Sequence, residues 1–244
     1  MNSLVFVLGL IFGSFLGVII DRLPQERNIV AGRSMCDTCE RSLEWIDLIP
    51  LVSFIMFKGR CRRCKTKLSY RYPLLELITG SAYLMAFHVF GLSYMSLVAM
   101  ILASVLIVIA FIDIDTMIIY DRFHVILLAL GAIVIALNPS SLKSGLLGIV
   151  IVSVPYLILA IVTQGIGGGD VKLIASAGLM LGASNTVLAF VLSTLVGGVY
   201  GVILILGKKV SAKDAIPFGP FLCIGIYTSF LYGDKIVSAY LSLF

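Results

Sequence analysis

Apolar residues in this chain come in long runs rather than in alternation with polar ones. The runs lie at 4–20, 74–90, 94–112, 123–137, 146–162, 173–181, 186–206 and 218–232. Runs this long describe helices that are hydrophobic all round, and about 17–25 residues are needed to cross the hydrocarbon core of a bilayer. The pattern predicts an all-α polytopic membrane protein with about eight transmembrane helices. The run at 173–181 is the shortest, and near Ala183 and Ser184 the chain must reverse within very few residues. The run at 4–20 has no basic segment before it and no small-residue cleavage pattern, so it reads as a retained span and not a removed signal peptide.

One stretch breaks the pattern. Residues 21–72 are polar and basic, and they end at Tyr72-Pro73, where proline suits the first turn of a new helix and restricts the residue before it. The predicted organisation is a first transmembrane helix at 1–20, a small cytoplasmic module at 21–72 and a seven-helix membrane domain at 73–244. No internal repeat or low-complexity tract is apparent.

Composition agrees. Of 244 residues 60% are hydrophobic and only 13% charged, with a mean hydropathy of +1.10, too few polar groups to cover a water-soluble domain. Charge then sets orientation. Segment 21–72 holds Arg22, Arg27, Arg33, Arg41, Lys58, Arg60, Arg62, Arg63, Lys65, Lys67 and Arg71, eleven of the 18 Lys and Arg residues. The positive-inside rule places it in the cytoplasm. Eight alternating spans put Arg122, Lys172, Lys208, Lys209 and Lys213 on the same side, and only Lys143 and Lys235 opposite. The net charge of +5 is thereby accounted for by topology and anionic membrane lipids, with no nucleic acid partner.

Two kinds of residue carry candidate chemistry. The first is a pair of CxxC motifs, Cys36/Cys39 and Cys61/Cys64, with 21 residues between them. Each knuckle presents two thiolates, and two knuckles complete a tetrahedral site for structural zinc with no position left open for catalysis. A short polar segment that cannot build a core gains its order from such a metal, and a reducing cytoplasm disfavours disulfides. Cys223, alone in an apolar run, reads as packing.

The second is the set of carboxylates in or beside the spans: Glu76, Asp113, Asp115, Asp121 and Asp170. Ionisable groups in a membrane are costly and mark functional positions. Asp113 falls at the cytoplasmic end of the third span, and Asp170 at the cytoplasmic start of the sixth, after Gly167-Gly168-Gly169. Asp113 and Asp115 point to opposite sides of a helix, while Asp113 and Asp121 would lie some two turns apart. A carboxylate pair therefore needs two spans, and Asp170 is the best-placed partner for Asp113. Two close carboxylates, one ionised and one protonated, can hydrolyse a peptide bond. Asp121 would also serve as a helix N-cap, and His88 and His124 have no evident catalytic partner.

These residues sit in motifs that closely resemble bacterial prepilin peptidases, the type IV leader peptidases, across nearly the whole chain. The motifs are Gly13-Ser14-Phe15-Leu16-Gly17-Val18-Ile19-Ile20-Asp21-Arg22-Leu23-Pro24, then Leu43-Glu44-Trp45-Ile46-Asp47-Leu48-Ile49-Pro50 between the CxxC pairs. Gly59-Arg60-Cys61, Arg71-Tyr72-Pro73-Leu74-Leu75-Glu76, Ile112-Asp113, Tyr120-Asp121, Gly167-Gly168-Gly169-Asp170-Val171-Lys172-Leu173 and Ile216-Pro217-Phe218-Gly219-Pro220 follow. The resemblance implies an aspartic membrane protease of the bacterial inner membrane with Asp113 and Asp170 as its catalytic pair. It also implies type IV prepilin or pseudopilin substrates, and methyl transfer from S-adenosylmethionine to the new N-terminus. Gly17 stands where the family usually has Asn, and Tyr120 and Asp37 where it usually has Pro. The Tyr120-Asp121 pair is also similar to a presenilin-type motif, which makes Asp121 the alternative first carboxylate. An ion-coupled membrane transporter would also carry intramembrane carboxylates, but it would hold them near mid-membrane and has no need of a CxxC module. A membrane scaffold with a zinc knuckle would not require Asp113 or Asp170.

Overall fold

The computed structural model describes residues 1–29, 32, 34–36, 38–208 and 215–243. Arg33, Asp37, Lys209 and Lys213 lie outside the described residues. Every apolar run is helical: α1 (Asn2–Arg22), α3 (Arg71–Phe90), α4 (Tyr94–Thr116), α5 (Asp121–Leu137), α6 (Leu142–Ile151), α7 (Ser153–Thr163), α8 (Gly168–Leu181), α9 (Ala183–Leu206) and α10 (Gly219–Leu241). A five-residue helix, α2 (Val52–Met56), and short 3-10 turns punctuate the polar segment. Among the described residues there are two isolated β-bridges and no longer strand.

The protein is all-helical and multi-pass. Five segments are long and apolar enough to cross a membrane: Asn2–Gln25, Arg71–Phe90, Tyr94–Thr116, Pro139–Thr163 and Ala183–Leu206. The expectation of about eight spans runs beyond these five. α5 and α8 have 17 and 14 residues, and α10 carries Asp234 and Lys235. The run at 146–162 is two helices that meet at Val152, whose carbonyl and amide neighbours include Ser153 bonding back to the Ile149 carbonyl.

Two compact units divide the chain, Met1–Val108 and Ile109–Phe244. In the first, α1 lies close against α3, backbone to backbone: a Cβ at Gly13 would come within 2.7 Å of the Glu76 Cα. In the second, α8 is central, packing on α5, α6, α7, α9 and α10. Leu173, Ile174 and Ala177 of α8 are fully buried, as are Leu222 and Ile226 of α10. The shortest run in the sequence is thus the heart of this unit, walled by protein. The reversal expected near Ala183 is a single residue, Gly182, whose φ of 77° a side chain would resist.

Candidate active site and metal centre

The cysteine segment is built from two copies of one local structure. In the first, the Cys36 amide donates to the Arg41 carbonyl (3.0 Å) and the Glu40 amide to the Cys36 carbonyl (2.8 Å). In the second, the Cys61 amide donates to the Thr66 carbonyl (2.9 Å) and the Lys65 amide to the Cys61 carbonyl (3.0 Å). A bridge closes each, Met35 with Ser42 and Arg60 with Lys67, and each places a non-glycine residue at positive φ, Glu40 at 53° and Lys65 at 60°. The repeat escapes a reading of the sequence because only the cysteines coincide; the rest of the match is backbone.

The knuckles face each other. Cys36 Sγ is 3.8 Å from Cys64 Sγ, Cys39 Sγ is 4.0 Å from Cys61 Sγ, and all four thiols lie within 4.8 Å of one another. This cluster could hold a metal ion. Four thiolates tetrahedral about zinc at about 2.3 Å are about 3.8 Å apart, so the spacing fits that geometry. The thiols crowd one another's ionisation. The Thr66 hydroxyl and amide hold Cys64 down to about 6, and the Cys64 and Arg63 amides lower Cys61. At Cys39 the Arg41 amide pulls the same way, yet burial and the three neighbouring thiols push it up to about 11. Around the cluster, Arg41 bonds both Glu44 and Asp47, and Arg62 reaches Glu44 at 3.1 Å. Asp47 and Glu44 form a reciprocal capping box on the 3-10 turn Trp45–Leu48.

The aspartates of the second unit come from ends of different helices. Asp113 sits in the last turn of α4 and is buried, 5% exposed; Asp170 sits in the first turn of α8 and is half-buried. The two are close enough for the charge of one to act on the other. Cys223 of α10 lies within reach of both charges, and Tyr156 of α7 within reach of Asp170. A carboxylate in the first helical turn is favoured by the helix dipole, whereas one in the last turn is opposed by it, and Asp113 finds its support elsewhere. The Gly219 amide, at the start of α10, donates to Asp113 Oδ2 at 3.0 Å. A Cβ on Gly219 would stand 2.6 Å from that same oxygen, so only glycine leaves the carboxylate in place. Gly169 does similar service for Asp170: a Cβ there would meet Ile119 at 3.1 Å, so its absence lets the first turn of α8 settle against the α4–α5 connection.

The remaining carboxylates diverge. Asp121 opens α5, is exposed, and accepts from Lys172 Nζ at 2.7 Å. No side-chain cap bond forms at that helix start. Asp115 is exposed. His124 is buried among the helices of its unit. Glu76 belongs to the first unit, 7% exposed, where it accepts from the Leu51 amide at 2.8 Å and from the Ser14 hydroxyl. Sequence reasoning did not reach Gly219, which lies 106 residues from its partner; its only signal was membership of the 216–220 motif.

Fold and clusters together define a class: a multi-pass helical membrane protein with two electrostatically linked aspartates in one unit and a four-thiol cluster that could hold a metal ion in the other. The family models narrow it. Residues 7–90 match the bacterial peptidase A24 N-terminal domain, and residues 100–202 match the type IV leader peptidase family. A prepilin leader peptidase/N-methyltransferase of Bacillus subtilis is 36% identical, with 100% of this chain and 99% of that one covered. Its namesake in Aeromonas salmonicida is 32% identical (98% and 94% covered), and that of Pseudomonas aeruginosa 33% (96% and 91%). The chain belongs to the type IV leader peptidase family. No solved structure matches it significantly.

Proposed function

We infer that this protein is a membrane aspartic endopeptidase that removes the leader from type IV prepilin-like proteins and then N-methylates the new N-terminal residue, using S-adenosylmethionine. Family membership supports both activities and sets aside the transporter reading. The observation that supports the peptidase assignment is that Asp170, at the start of one helix, lies within range of the charge of Asp113, buried at the end of another.

In this reading Asp113 and Asp170 are the catalytic pair. One Asp113 oxygen is taken by the Gly219 amide, leaving Oδ1 to draw a proton from the attacking water. Asp170 carries the proton that two close carboxylates share and donates it toward the scissile carbonyl oxygen. Asp121 is held off by its ion pair with Lys172, which argues against its being the first carboxylate. Zinc in Cys36, Cys39, Cys61 and Cys64 is structural: four protein ligands leave no site for substrate. The protein lies in the bacterial inner membrane with the knuckles and the carboxylates on the cytoplasmic side, a reading supported by the basic residues of segment 21–72. The deciding experiment is to mix the purified protein with a prepilin and sequence the product's N-terminus. An unprocessed prepilin would refute the peptidase.

A further inference from the structure

The carboxylates assigned to hydrolysis lie in the second unit. The first unit has a cavity of about 530 Å³, with carboxylates of its own, that hydrolysis does not use. That volume suits a small organic ligand. Charges of both signs line it: Asp21 and Arg22 at the end of α1 and Glu76 in the first turns of α3, with Arg27, Arg41, Asp47, Arg60 and Arg62 from the loops. Glu76 is buried and fixed by two donors, the Leu51 amide and the Ser14 hydroxyl. Asp21 is half-buried, and the Tyr72 hydroxyl donates to its Oδ2 at 3.0 Å. Phe54 and Phe57 add apolar rings to the lining.

We propose that this cavity binds the methyl donor, with Glu76 facing its sulfonium and Asp21 accepting the proton released by the methylated amine. The inference rests on the methyl-transfer reading above. S-adenosylmethionine carries a sulfonium, an ammonium, a carboxylate and a purine, and the cavity offers a complement to the sulfonium, the carboxylate and the purine. The buried carboxylate of Glu76 faces the sulfonium, the Arg60 guanidinium, outside the Arg41–Arg62–Glu44–Asp47 ion-pair cluster, faces the ligand carboxylate, and aromatic rings face the purine. In the transfer, the amine nitrogen of the trimmed substrate forms a bond to the methyl carbon as the carbon–sulfur bond breaks. That electron pair stays on sulfur, which leaves as a neutral thioether, and Asp21 Oδ1 takes the proton from nitrogen. Glu76, already held by two donors, remains the fixed charge, and Asp21, nearer solvent, is the group able to return its proton to water.

Charge on sulfur gives a test that does not depend on turnover. Binding of S-adenosylmethionine and of its neutral product, S-adenosylhomocysteine, would be measured by calorimetry on the full chain in lipid nanodiscs, with prepilin cleavage as the folding control. Glu76→Gln should weaken the sulfonium ligand about tenfold or more and the thioether by less than about twofold, because only the first loses a charge partner. Asp21→Asn should bind the donor as wild type does and still cleave, but methylate a pre-cut pilin far more slowly. Equal weakening of both ligands by Glu76→Gln would make Glu76 a packing residue, and unchanged donor binding would put the site elsewhere; either overturns the proposal while methyl transfer stands. Should Glu76→Gln also lose cleavage, the wild type decides: an analogue with an ammonium in place of the sulfonium must outbind the thioether, and parity overturns the proposal. A wild type that binds neither ligand and transfers no label ends the methyl-transfer reading and this inference together.

Discussion

The cysteine cluster and the aspartate pair solve the same problem, gathering repelling groups, by opposite means. Each cysteine knuckle is closed within eight residues by its own backbone bonds, and the two copies have only to meet. The aspartates are 57 residues apart, sit at opposite ends of their helices, and depend on the start of a third helix for an amide. A locally built site can be lost without disturbing the rest, and a distributed site can lose its chemistry without losing its shape. Each prediction below tests one side of that contrast.

The largest effect belongs to the pair. Asp113→Asn or Asp170→Asn should lower cleavage by about three orders of magnitude or more, with the double variant scarcely worse, since the two act as one unit. Both single variants should still insert and carry zinc. Near-normal cutting of prepilin by Asp113→Asn would remove it from the site. Next comes the metal: protein as purified should contain about one zinc per chain, and Cys36→Ser/Cys61→Ser should contain none. Hydrogen exchange in that variant should rise across 34–68 and stay slow in α8 if the local–distributed contrast holds; loss of protection in both would break it. Gly219→Ala tests the distributed side with a single methyl group. Its Cβ displaces the Asp113 carboxyl, and cleavage should fall about 10- to 100-fold with little change in zinc content or melting temperature. The smallest effect is expected from Asp121→Asn or Lys172→Met, which break an exposed, solvent-screened ion pair and should cost at most a few-fold in rate. Complete loss of cutting in Asp121→Asn alone would move the first carboxylate to Asp121.

The same contrast decides what the sequence could disclose. Spacing alone announces the cysteine site, because CxxC encodes its own geometry, and the sulfur distances match what four thiolates need. All eight apolar runs proved helical, since a long, unalternating apolar run satisfies its backbone within itself only as a helix. What stayed hidden is what the pattern does not encode. An apolar run looks alike whether it faces lipid or protein, so the break at Val152 and the central place of α8 do not show. Membrane depth pointed from Asp113 to Asp170, but no local signal links residue 113 to the amide of residue 219. Glu76 stood out only as an ionisable group beside a span; its two donors and the cavity it lines came with the fold.

The brevity of α8 matters when the protein is made. A helix of 14 residues is about 21 Å long, against a hydrocarbon core of about 30 Å, and it begins with two glycines and an aspartate. Such a segment offers the insertion machinery little to hold by itself. It is joined through one residue, Gly182, to α9, whose 24 mostly apolar residues suffice to span. α8 also packs on α10, the last helix to leave the ribosome, so its enclosure is complete only once the whole chain has been made, and Asp170 reaches its final surroundings no sooner.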